Sequence, residues 1–321
     1  MPNIIGVSIP FSTQERTASL TDAAHAAGCE IEFFEPGTMT QEQLDRCTIF
    51  FGMARPHMVA RAARLKWFQA SFAGVDTMMQ VEPIVKGDIV LTNASGAYGI
   101  TISEHLIVTL LMLMRKMPAY YEMQQRSEWG YAGQIQSIYG STITVVGTGD
   151  IGGNFGARVK AMGATVRGVR RNAAVKPDFC DEVYGETQLL EAISGADAVA
   201  LCVPGTDKTT KFFGERELRA MKSNAILLNV GRGSAVDLDA LDRALRDGTI
   251  GGAALDVTDP EPLPPEHPLW SAPNILITPH VSGNVSLPLT CNLVCSIFTD
   301  NLRRYTAGEP LRHVIDCKNG Y

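Results

Sequence analysis

A glycine-rich turn between an apolar run and a helical segment constrains the fold of this chain more than any other feature. Gly147, Gly149 and Gly152 have the G-x-G-x-x-G spacing and directly follow the apolar run Ile143–Val146. In a strand–turn–helix unit, the first glycine allows the tight turn, the second lets a pyrophosphate approach the backbone, and the third lets the helix pack against the sheet. A second apolar run, 164–169, arrives where the next strand is expected. The pattern predicts a dinucleotide site at a helix N-terminus, and a purely structural turn is the alternative.

The residues after the second strand bear on which dinucleotide would be bound. In such units an acidic residue about twenty positions beyond the glycines usually holds the ribose 2′-hydroxyl. This chain has Arg170 and Arg171 at that point. A guanidinium can pair with a 2′-phosphate in a bidentate manner, and a hydrogen bond to a charged group contributes about 1.5–3 kcal/mol. The arginines therefore favour NADP(H) over NAD(H), and a solvated charged turn is the alternative explanation.

The size and charge of the chain exclude several classes of protein. A length of 321 residues is enough for about two domains, and a hydrophobic content of 45% is that of an ordinary globular protein. The net charge of −6 argues against nucleic acid or an anionic membrane as partner. The longest apolar run, 106–114, is too short to span a bilayer, and the first residues do not resemble a signal peptide. Seven cysteines without a C-x-x-C pair predict a cytoplasmic protein with no disulfide and no metal.

Apolar runs alternate with helical stretches along both halves of the chain. In the first hundred residues the predicted strands are Ile4–Ile9, Glu30–Phe34, Thr48–Gly52, Lys66–Ala70 and Ile89–Thr92. In the second half they lie near 143–146, 164–169, 197–202, 225–230, 252–257 and 274–278. Helices are predicted at Thr17–Ala27, at Ile102–Met117 and at Ser286–Tyr305, and a last strand-like piece at Arg312–Ile315. The alternation predicts α/β architecture with parallel sheets.

The division of these elements predicts two domains. Residues 101–286 would form a Rossmann-type doubly wound parallel sheet that binds NADP(H). Residues 1–100 and 287–321 would together form a smaller, discontinuous substrate domain, also α/β, because the tail is too short to fold alone. The helix that Pro118 is expected to stop, and the helix near the C-terminus, would cross between the two domains.

Three polar side chains follow the last three predicted strands. Arg232 lies between two glycines, Glu261 lies in a proline-rich loop, and His280 follows a proline. Ligands of open α/β sheets bind beyond the carboxyl ends of the strands, so these side chains are expected to gather there. Each alone could be an ordinary loop residue. Together they supply a cation for a carboxylate, a group that titrates near neutral pH, and a carboxylate to orient it.

The chain resembles the D-isomer-specific 2-hydroxyacid dehydrogenase family, particularly its glyoxylate/hydroxypyruvate reductase branch, over nearly its whole length. The matching stretches are SFAGVD at 71–76, SEH at 103–105, VVGTGDIGG at 145–153, NVGRGSAVD at 229–237, GAALDV at 252–257, EPLPPEHPLW at 261–270 and ITPHVSG at 277–283. Several specific motifs in the family's order make a chance match very improbable. The resemblance implies that the smaller domain is flavodoxin-like.

The resemblance also implies roles for individual residues. Arg232 would hold the substrate carboxylate and keto oxygen, His280 would be the general acid in reduction, and Glu261 would fix and polarise its ring. The loop residues Phe72, Ala73 and Gly74 would offer backbone N–H groups to the substrate carboxylate. The expected cofactor-binding residues are Gly147, Gly149, Asp150, Ile151, Gly152, Arg170, Arg171, Val203, Pro204, Thr206 and Asp256, the last of which could instead cap the end of its strand.

These expectations describe an NADPH-dependent reductase that converts a small 2-ketoacid, resembling glyoxylate or hydroxypyruvate, into the D-2-hydroxyacid. The connector that contains Trp129, Tyr131 and Tyr139 would form a dimer arm, as the resemblance implies, and packing of these aromatic residues within their own domain is the alternative. His105 is interpreted as a structural helix residue. Two alternatives remain. One is a non-catalytic, dinucleotide-sensing scaffold. The other is a relative that oxidises another small anion, although Glu261 argues against formate because formate enzymes of the superfamily have a glutamine there.

Overall fold

The computed structural model describes residues 3–317 and divides the chain into two compact units. Met1–Tyr98 and Asn284–Tyr321 belong to the first unit, and Gly99–Gly283 forms the second. Each unit contains one parallel sheet and the helices that cover it. Among the residues described, no helix is both long enough and apolar enough to cross a bilayer.

The first unit contains a five-stranded sheet. Its strands are β1 (Ile4–Ser8), β2 (Glu30–Phe33), β3 (Ile49–Gly52), β4 (Trp67–Ala70) and β5 (Val90–Thr92). The helices between them are α1 (Gln14–Ala26), α2 (Gln41–Arg46), α3 (Pro56–Val59) and α4 (Glu82–Val85). The strand order β2-β1-β3-β4-β5 is that of a flavodoxin-like sheet, and all four pairings are parallel.

The second unit contains a seven-stranded parallel sheet. It begins with the helices α5 (Gly99–Met114) and α6 (Met117–Gln125). The strands are β6 (Thr142–Val146), β7 (Thr165–Val169), β8 (Glu182–Tyr184), β9 (Ala198–Leu201), β10 (Ile226–Asn229), β11 (Gly252–Leu255) and β12 (Ile275–Ile277). The helices among them are α7 (Asp150–Ala161), α8 (Leu189–Ile193), α9 (Glu215–Ala220) and α10 (Leu238–Arg246).

The order of these strands confirms the predicted Rossmann-type fold. It is β12-β11-β10-β9-β6-β7-β8, so the chain moves outward in one direction from β6 and then returns to add β9 on the other side. Reversal of strand order opens a crevice beyond the carboxyl ends of the strands at that point. The glycine turn follows β6 and therefore lies at this crevice.

The long helix α11 (Pro288–Ala307) returns the chain to the first unit. Phe298 on this helix stacks on Phe51 of β3 with ring centroids 4.3 Å apart. Buried hydrogen bonds also connect this helix to the sheet. Asn301 Nδ2 donates to Gln69 Oε1 at 3.0 Å, and Thr92 Oγ1 donates to the same oxygen at 2.8 Å. Aromatic stacking and paired amides together fix the register of the helix on the sheet.

The structure corrects several details of the predicted elements. The helix predicted at 102–117 ends at Met114, because Lys116 adopts a left-handed backbone (φ 59°). Pro118 was expected to stop the helix, but it lies in the first turn of a second helix, α6, where proline is tolerated. Helix α5 begins at Gly99, three residues before the predicted start at Ile102. Strand β8 was missed because it is three residues long and begins with a glutamate. The piece at 312–315 contributes one bridge, from Val314 to Thr92, rather than a strand.

Candidate active site

The three glycines of the turn have three different structural roles. Gly147 has φ 92°, and a Cβ there would lie 2.5 Å from the carbonyl oxygen of Cys202. A Cβ on Gly152 would lie 1.9 Å from the carbonyl oxygen of Gly147, so α7 packs directly on the turn. Gly149, the N-cap of α7, has no heavy atom within 4 Å of the position of its missing Cβ. Two glycines thus bring backbone together, and the third leaves open space at a helix N-terminus.

This open space fits the pyrophosphate of a dinucleotide. The first turn of α7 contains Asp150 and Ile151, whose backbone N–H groups precede the first intrahelical bond, and the helix dipole adds partial positive charge. The Asp150 carboxylate accepts a hydrogen bond from Asn154 Nδ2 at 3.1 Å, which holds it against the helix. The residues present therefore match the group that the sequence pattern predicts.

The segment after β9 lies beside the glycine turn and forms one wall of the open space. Val203 Cγ1 lies 3.2 Å from the position a Cβ on Gly147 would take. Beyond Pro204 the backbone is braced, because the Thr206 N–H donates to Thr209 Oγ1 at 2.8 Å and that hydroxyl donates to the Pro204 carbonyl at 2.8 Å. Burial raises the pKa of the Cys202 thiol to about 12, so this wall carries no negative charge at neutral pH.

Arg170 and Arg171 follow directly after β7, the strand next to β6. The Arg170 backbone N–H donates to the Tyr184 carbonyl at 3.0 Å. Its guanidinium Nη1 donates to the Val175 carbonyl at 3.0 Å, which leaves further N–H groups of the fork for an anion. Arg171 is exposed. The structure thus places two arginines at the end of the strand where ribose is recognised in such folds.

The loop after β10 carries Arg232 between two close backbone approaches. A Cβ on Gly231 would lie 2.5 Å from the Val203 carbonyl oxygen, and one on Gly233 would lie 1.9 Å from the Thr258 carbonyl oxygen. Arg232 Nη1 donates to the Gly231 carbonyl at 2.8 Å. The glycines therefore do more than remove bulk around the arginine: they let the loops after β9, β10 and β11 meet.

The side chains of His280 and Glu261 are hydrogen-bonded to each other. The His280 Nδ1 to Glu261 Oε1 distance is 2.6 Å, and the side chains are 51% and 43% exposed. Glu261 follows β11 and His280 follows β12, so neighbouring strands bring together residues that are 19 positions apart. With Nδ1 bonded to the carboxylate, Nε2 is the ring nitrogen that remains for another partner. An oriented imidazole of this kind can donate and accept a proton.

Asp256 is buried and holds the backbone beside His280. Its carboxylate accepts from the Val281 N–H and the Ser282 N–H, each at 3.0 Å, and its backbone carbonyl accepts from the His280 N–H at 2.8 Å. These are the contacts of a strand-end cap, the alternative considered from the sequence. A cofactor contact of Asp256 stays a prediction.

The predicted substrate loop of the first unit is also held through its carbonyls. The Tyr98 hydroxyl donates to the Ser71 carbonyl at 2.7 Å, and Asn93 Nδ2 donates to the Ala73 carbonyl at 2.6 Å. The Phe72 carbonyl accepts from the Ala94 N–H at 3.1 Å. Within residues 3–317, the N–H groups of Phe72, Ala73 and Gly74 have no protein acceptor. A loop whose carbonyls are bonded and whose N–H groups are open is suited to an anion.

Comparison with known proteins identifies the family. The NAD binding domain profile of the D-isomer specific 2-hydroxyacid dehydrogenases matches residues 107–282, more than half of the chain. A glyoxylate reductase of Korarchaeum cryptofilum is 31% identical over 254 residues, which cover 77% of this chain and 75% of that protein. The chain belongs to the D-isomer specific 2-hydroxyacid dehydrogenase family. It is an NAD(P)-dependent oxidoreductase, and the resemblance seen in its motifs is confirmed.

Solved structures support the same assignment. A family member from Aeromonas salmonicida subsp. salmonicida A449 is 32% identical with a TM-score of 0.82, over 98% of this chain and 99% of that one. A family member from Xanthobacter autotrophicus Py2, solved in complex with NADPH and MES, is 25% identical with a TM-score of 0.85, over the whole of both chains. The two-sheet architecture described above is therefore that of the family.

The glycine geometry of the dehydrogenase predicts different outcomes for two alanine substitutions. Gly149→Ala should weaken NADP(H) binding by tenfold or more, because the methyl group enters the space left for the pyrophosphate, while the melting temperature of the free protein stays unchanged. Gly152→Ala should lower that melting temperature, because its methyl group meets the Gly147 carbonyl. Titration of NADPH fluorescence and thermal unfolding without nucleotide measure the two effects.

Gly153→Ala is the matched control, since a Cβ there lies 3.7 Å or more from its neighbours. It should change neither quantity. Equal losses of nucleotide affinity in the Gly149 and Gly153 variants would contradict the assignment of Gly149 to the pyrophosphate site.

Proposed function

We propose that the dehydrogenase reduces a small 2-ketoacid to the D-2-hydroxyacid with NADPH, and that His280 is the proton donor. The observation that carries the proposal is the 2.6 Å contact between His280 Nδ1 and Glu261 Oε1. A carboxylate at this distance fixes the orientation of the ring and keeps Nδ1 engaged, so that Nε2 is the ring nitrogen left for the substrate. Reduction of a ketone needs such an acid, because the developing alkoxide must receive a proton as hydride arrives.

The chain's own residues account for the remaining requirements. The nicotinamide, when bound, supplies the hydride to the keto carbon. Arg232 neutralises the substrate carboxylate and orients it. In the first unit, the N–H groups of Phe72, Ala73 and Gly74 stay predicted as hydrogen-bond donors to the substrate. His280 releases the proton on Nε2 to the keto oxygen, and Nδ1 keeps its hydrogen bond to Glu261. The products are the hydroxyacid and a neutral imidazole.

The preference for NADPH is supported by Arg170 and Arg171. They lie at the end of β7, where an acidic residue would disfavour the 2′-phosphate. The Xanthobacter structure, which contains NADPH, is a relative at 25% identity. A substrate that resembles glyoxylate or hydroxypyruvate is supported by the similarity to a glyoxylate reductase. Seven free cysteines are consistent with a reducing compartment, and we place the enzyme in the cytoplasm.

We further propose that the enzyme is a homodimer. Residues 126–141 have no helix or strand, and they include Trp129, whose side chain is fully exposed. Close to this connector, α5 and α6 form an open groove of about 670 Å³ whose apolar lining includes Ile107, Val108, Leu111, Met117 and Ile135. In a symmetric two-chain interface, the same surface patch of both copies is self-complementary. The groove is mostly apolar and is lined in part by Ile135 of the exposed connector, so a second copy of this chain is the proposed occupant.

The role of His280 is tested by His280→Asn. Asparagine tolerates the left-handed backbone at this position (φ 53°), so the loop conformation is kept while the proton donor is lost. We expect kcat for 2-ketoacid reduction to fall by roughly 10²- to 10⁴-fold, and the dissociation constant of NADPH to stay within about twofold. A kcat within threefold of the wild-type value would show that another group supplies the proton.

The cofactor preference is tested by Arg170→Asp. Replacing the guanidinium by a carboxylate should lower the ratio of kcat/KM with NADPH to kcat/KM with NADH by roughly ten- to a hundredfold, because a bond to the 2′-phosphate is exchanged for repulsion. Arg219→Asp on α9 makes the same change of charge and should leave the ratio unchanged. An unchanged ratio in the Arg170 variant means that this residue does not read the phosphate.

The dimer is tested by Val108→Glu, which places a charge in the apolar groove. The mass in solution, measured by light scattering, should fall from that of two chains to that of one. Val85→Glu changes a valine of similar exposure on α4 and serves as the control (54% exposed, compared with 51% for Val108). A dimer that persists in the Val108 variant would place the interface elsewhere.

A further inference from the structure

A chain of three side chains leads from helix α5 to the loop that carries His280. His105 Nε2 lies 3.2 Å from Thr278 Oγ1, and Thr278 Oγ1 lies 2.6 Å from Asp256 Oδ1. His105 Nε2 is itself 3.9 Å from Asp256 Oδ1. The first two distances are those of direct hydrogen bonds. All three residues belong to the second unit.

The hydrogen-bonding capacity of these groups determines where the protons are. Both Asp256 oxygens accept backbone N–H groups, and Oδ1 also accepts from a hydroxyl, which is the pattern of an ionised carboxylate. A threonine hydroxyl has one proton, and the 2.6 Å contact assigns it to Asp256. Thr278 Oγ1 can then only accept from His105, so His105 has its proton on Nε2. The ring therefore sets the direction in which the Thr278 hydroxyl points.

The backbone that depends on this arrangement is strained. His280 has φ 53°, a conformation that a residue other than glycine adopts at a cost of about 1 kcal/mol or more. The residues on either side of it, Thr278 on one and Val281 and Ser282 on the other, all bond to the Asp256 carboxylate. A carboxylate that rotates away from any of these donors would release the loop and allow His280 to relax.

We propose that His105 is a positioning residue for His280, which it holds in place through the Thr278 hydroxyl and the Asp256 carboxylate. Its importance for turnover rests on the proposed role of His280 as proton donor, whereas its effect on the loop does not. In this account His105 touches neither substrate nor cofactor. It fixes the hydroxyl, the hydroxyl fixes the carboxylate, and the carboxylate holds the backbone on both sides of the catalytic imidazole.

The loop itself gives a readout that is independent of activity. In His105→Leu and in Thr278→Val, hydrogen exchange at the Val281 and Ser282 amides should become about tenfold faster, because their acceptor is less well fixed. In His105→Gln and in Thr278→Ser, exchange should stay within about twofold of the wild-type rate, because an N–H donor or a hydroxyl is kept. Thr109→Val is the control for packing: Thr109 lines a small pocket together with His105 and Thr278, but its hydroxyl donates to carbonyls of its own helix.

Kinetics supply the second readout. In His105→Leu, kcat for ketoacid reduction should fall by roughly ten- to a hundredfold, with KM for the ketoacid and the dissociation constant of NADPH within about twofold of wild type. His105→Gln should restore most of the rate. The double variant His105→Leu/Thr278→Val should be no slower than Thr278→Val alone, because both changes interrupt one chain.

Several results would overturn the inference. Wild-type exchange rates at Val281 and Ser282 in the His105→Leu variant would do so, as would an equal acceleration in Thr109→Val, or additive losses of kcat in the double variant. If the wild-type enzyme turned over no 2-ketoacid, the proposed function would fail, and the exchange rates would still decide whether His105 holds the loop.

Discussion

The buried carboxylate of Asp256 is the interaction on which the arrangement of the candidate site depends. It lies at the end of β11, where its side chain accepts the N–H groups of Val281 and Ser282 from the segment after β12. Removing such an acceptor would leave buried donors unpaired, at a cost of about 1–3 kcal/mol each. The same contacts hold His280 in a left-handed conformation that directs its ring towards Glu261. The Asp256 carboxylate thus holds the ends of two adjacent strands in the arrangement in which His280 and Glu261 are hydrogen-bonded.

Close backbone packing provides the second constraint. Gly152 against Gly147, and Gly233 against Thr258, are approaches at which any Cβ would overlap a carbonyl oxygen at 1.9 Å. The first contact packs helix α7 on the glycine turn. The second packs the loop that contains Arg232 on the loop that leads to Glu261. Gly149 differs because the space around its missing Cβ is empty. Of the three glycines of the turn, Gly149 alone has open space at its Cβ position, which suits the pyrophosphate site predicted there.

The sequence predicted the fold well because its signals are local and periodic. Eleven of the twelve strands coincide with apolar runs bounded by turns, and the glycine spacing identified the βαβ unit before any tertiary information was available. Strand β8 was missed because three residues beginning with a glutamate carry no such period. Helix α6 was also missed, because Pro118 was expected to end the preceding helix, whereas it lies in the first turn of α6 after the left-handed residue Lys116.

The candidate site was predictable only in part, for a related reason. Arg232, Glu261 and His280 stand out as polar residues after strands, and motifs that resemble a known family gave them roles. The residues that support them could not be recognised in the same way. Thr278 and His105 act beside His280 through hydrogen bonds to groups distant in sequence, and a threonine or a helical histidine has no sequence pattern that identifies such a partner. The same holds for Asn93 and Tyr98, which hold the predicted substrate loop of the first unit. Their roles follow from distances alone.

The central claim is that this chain transfers hydride to a 2-ketoacid and delivers the proton from His280. The most direct measurement is to incubate the enzyme with NADPH and pyruvate, glyoxylate, hydroxypyruvate or phenylpyruvate, to follow the loss of NADPH absorbance, and to determine the configuration of each chiral product. The account predicts turnover of at least one of these acids and formation of the D-2-hydroxyacid. Tight binding of NADPH without turnover of any 2-ketoacid, or formation of the L-product, would contradict it.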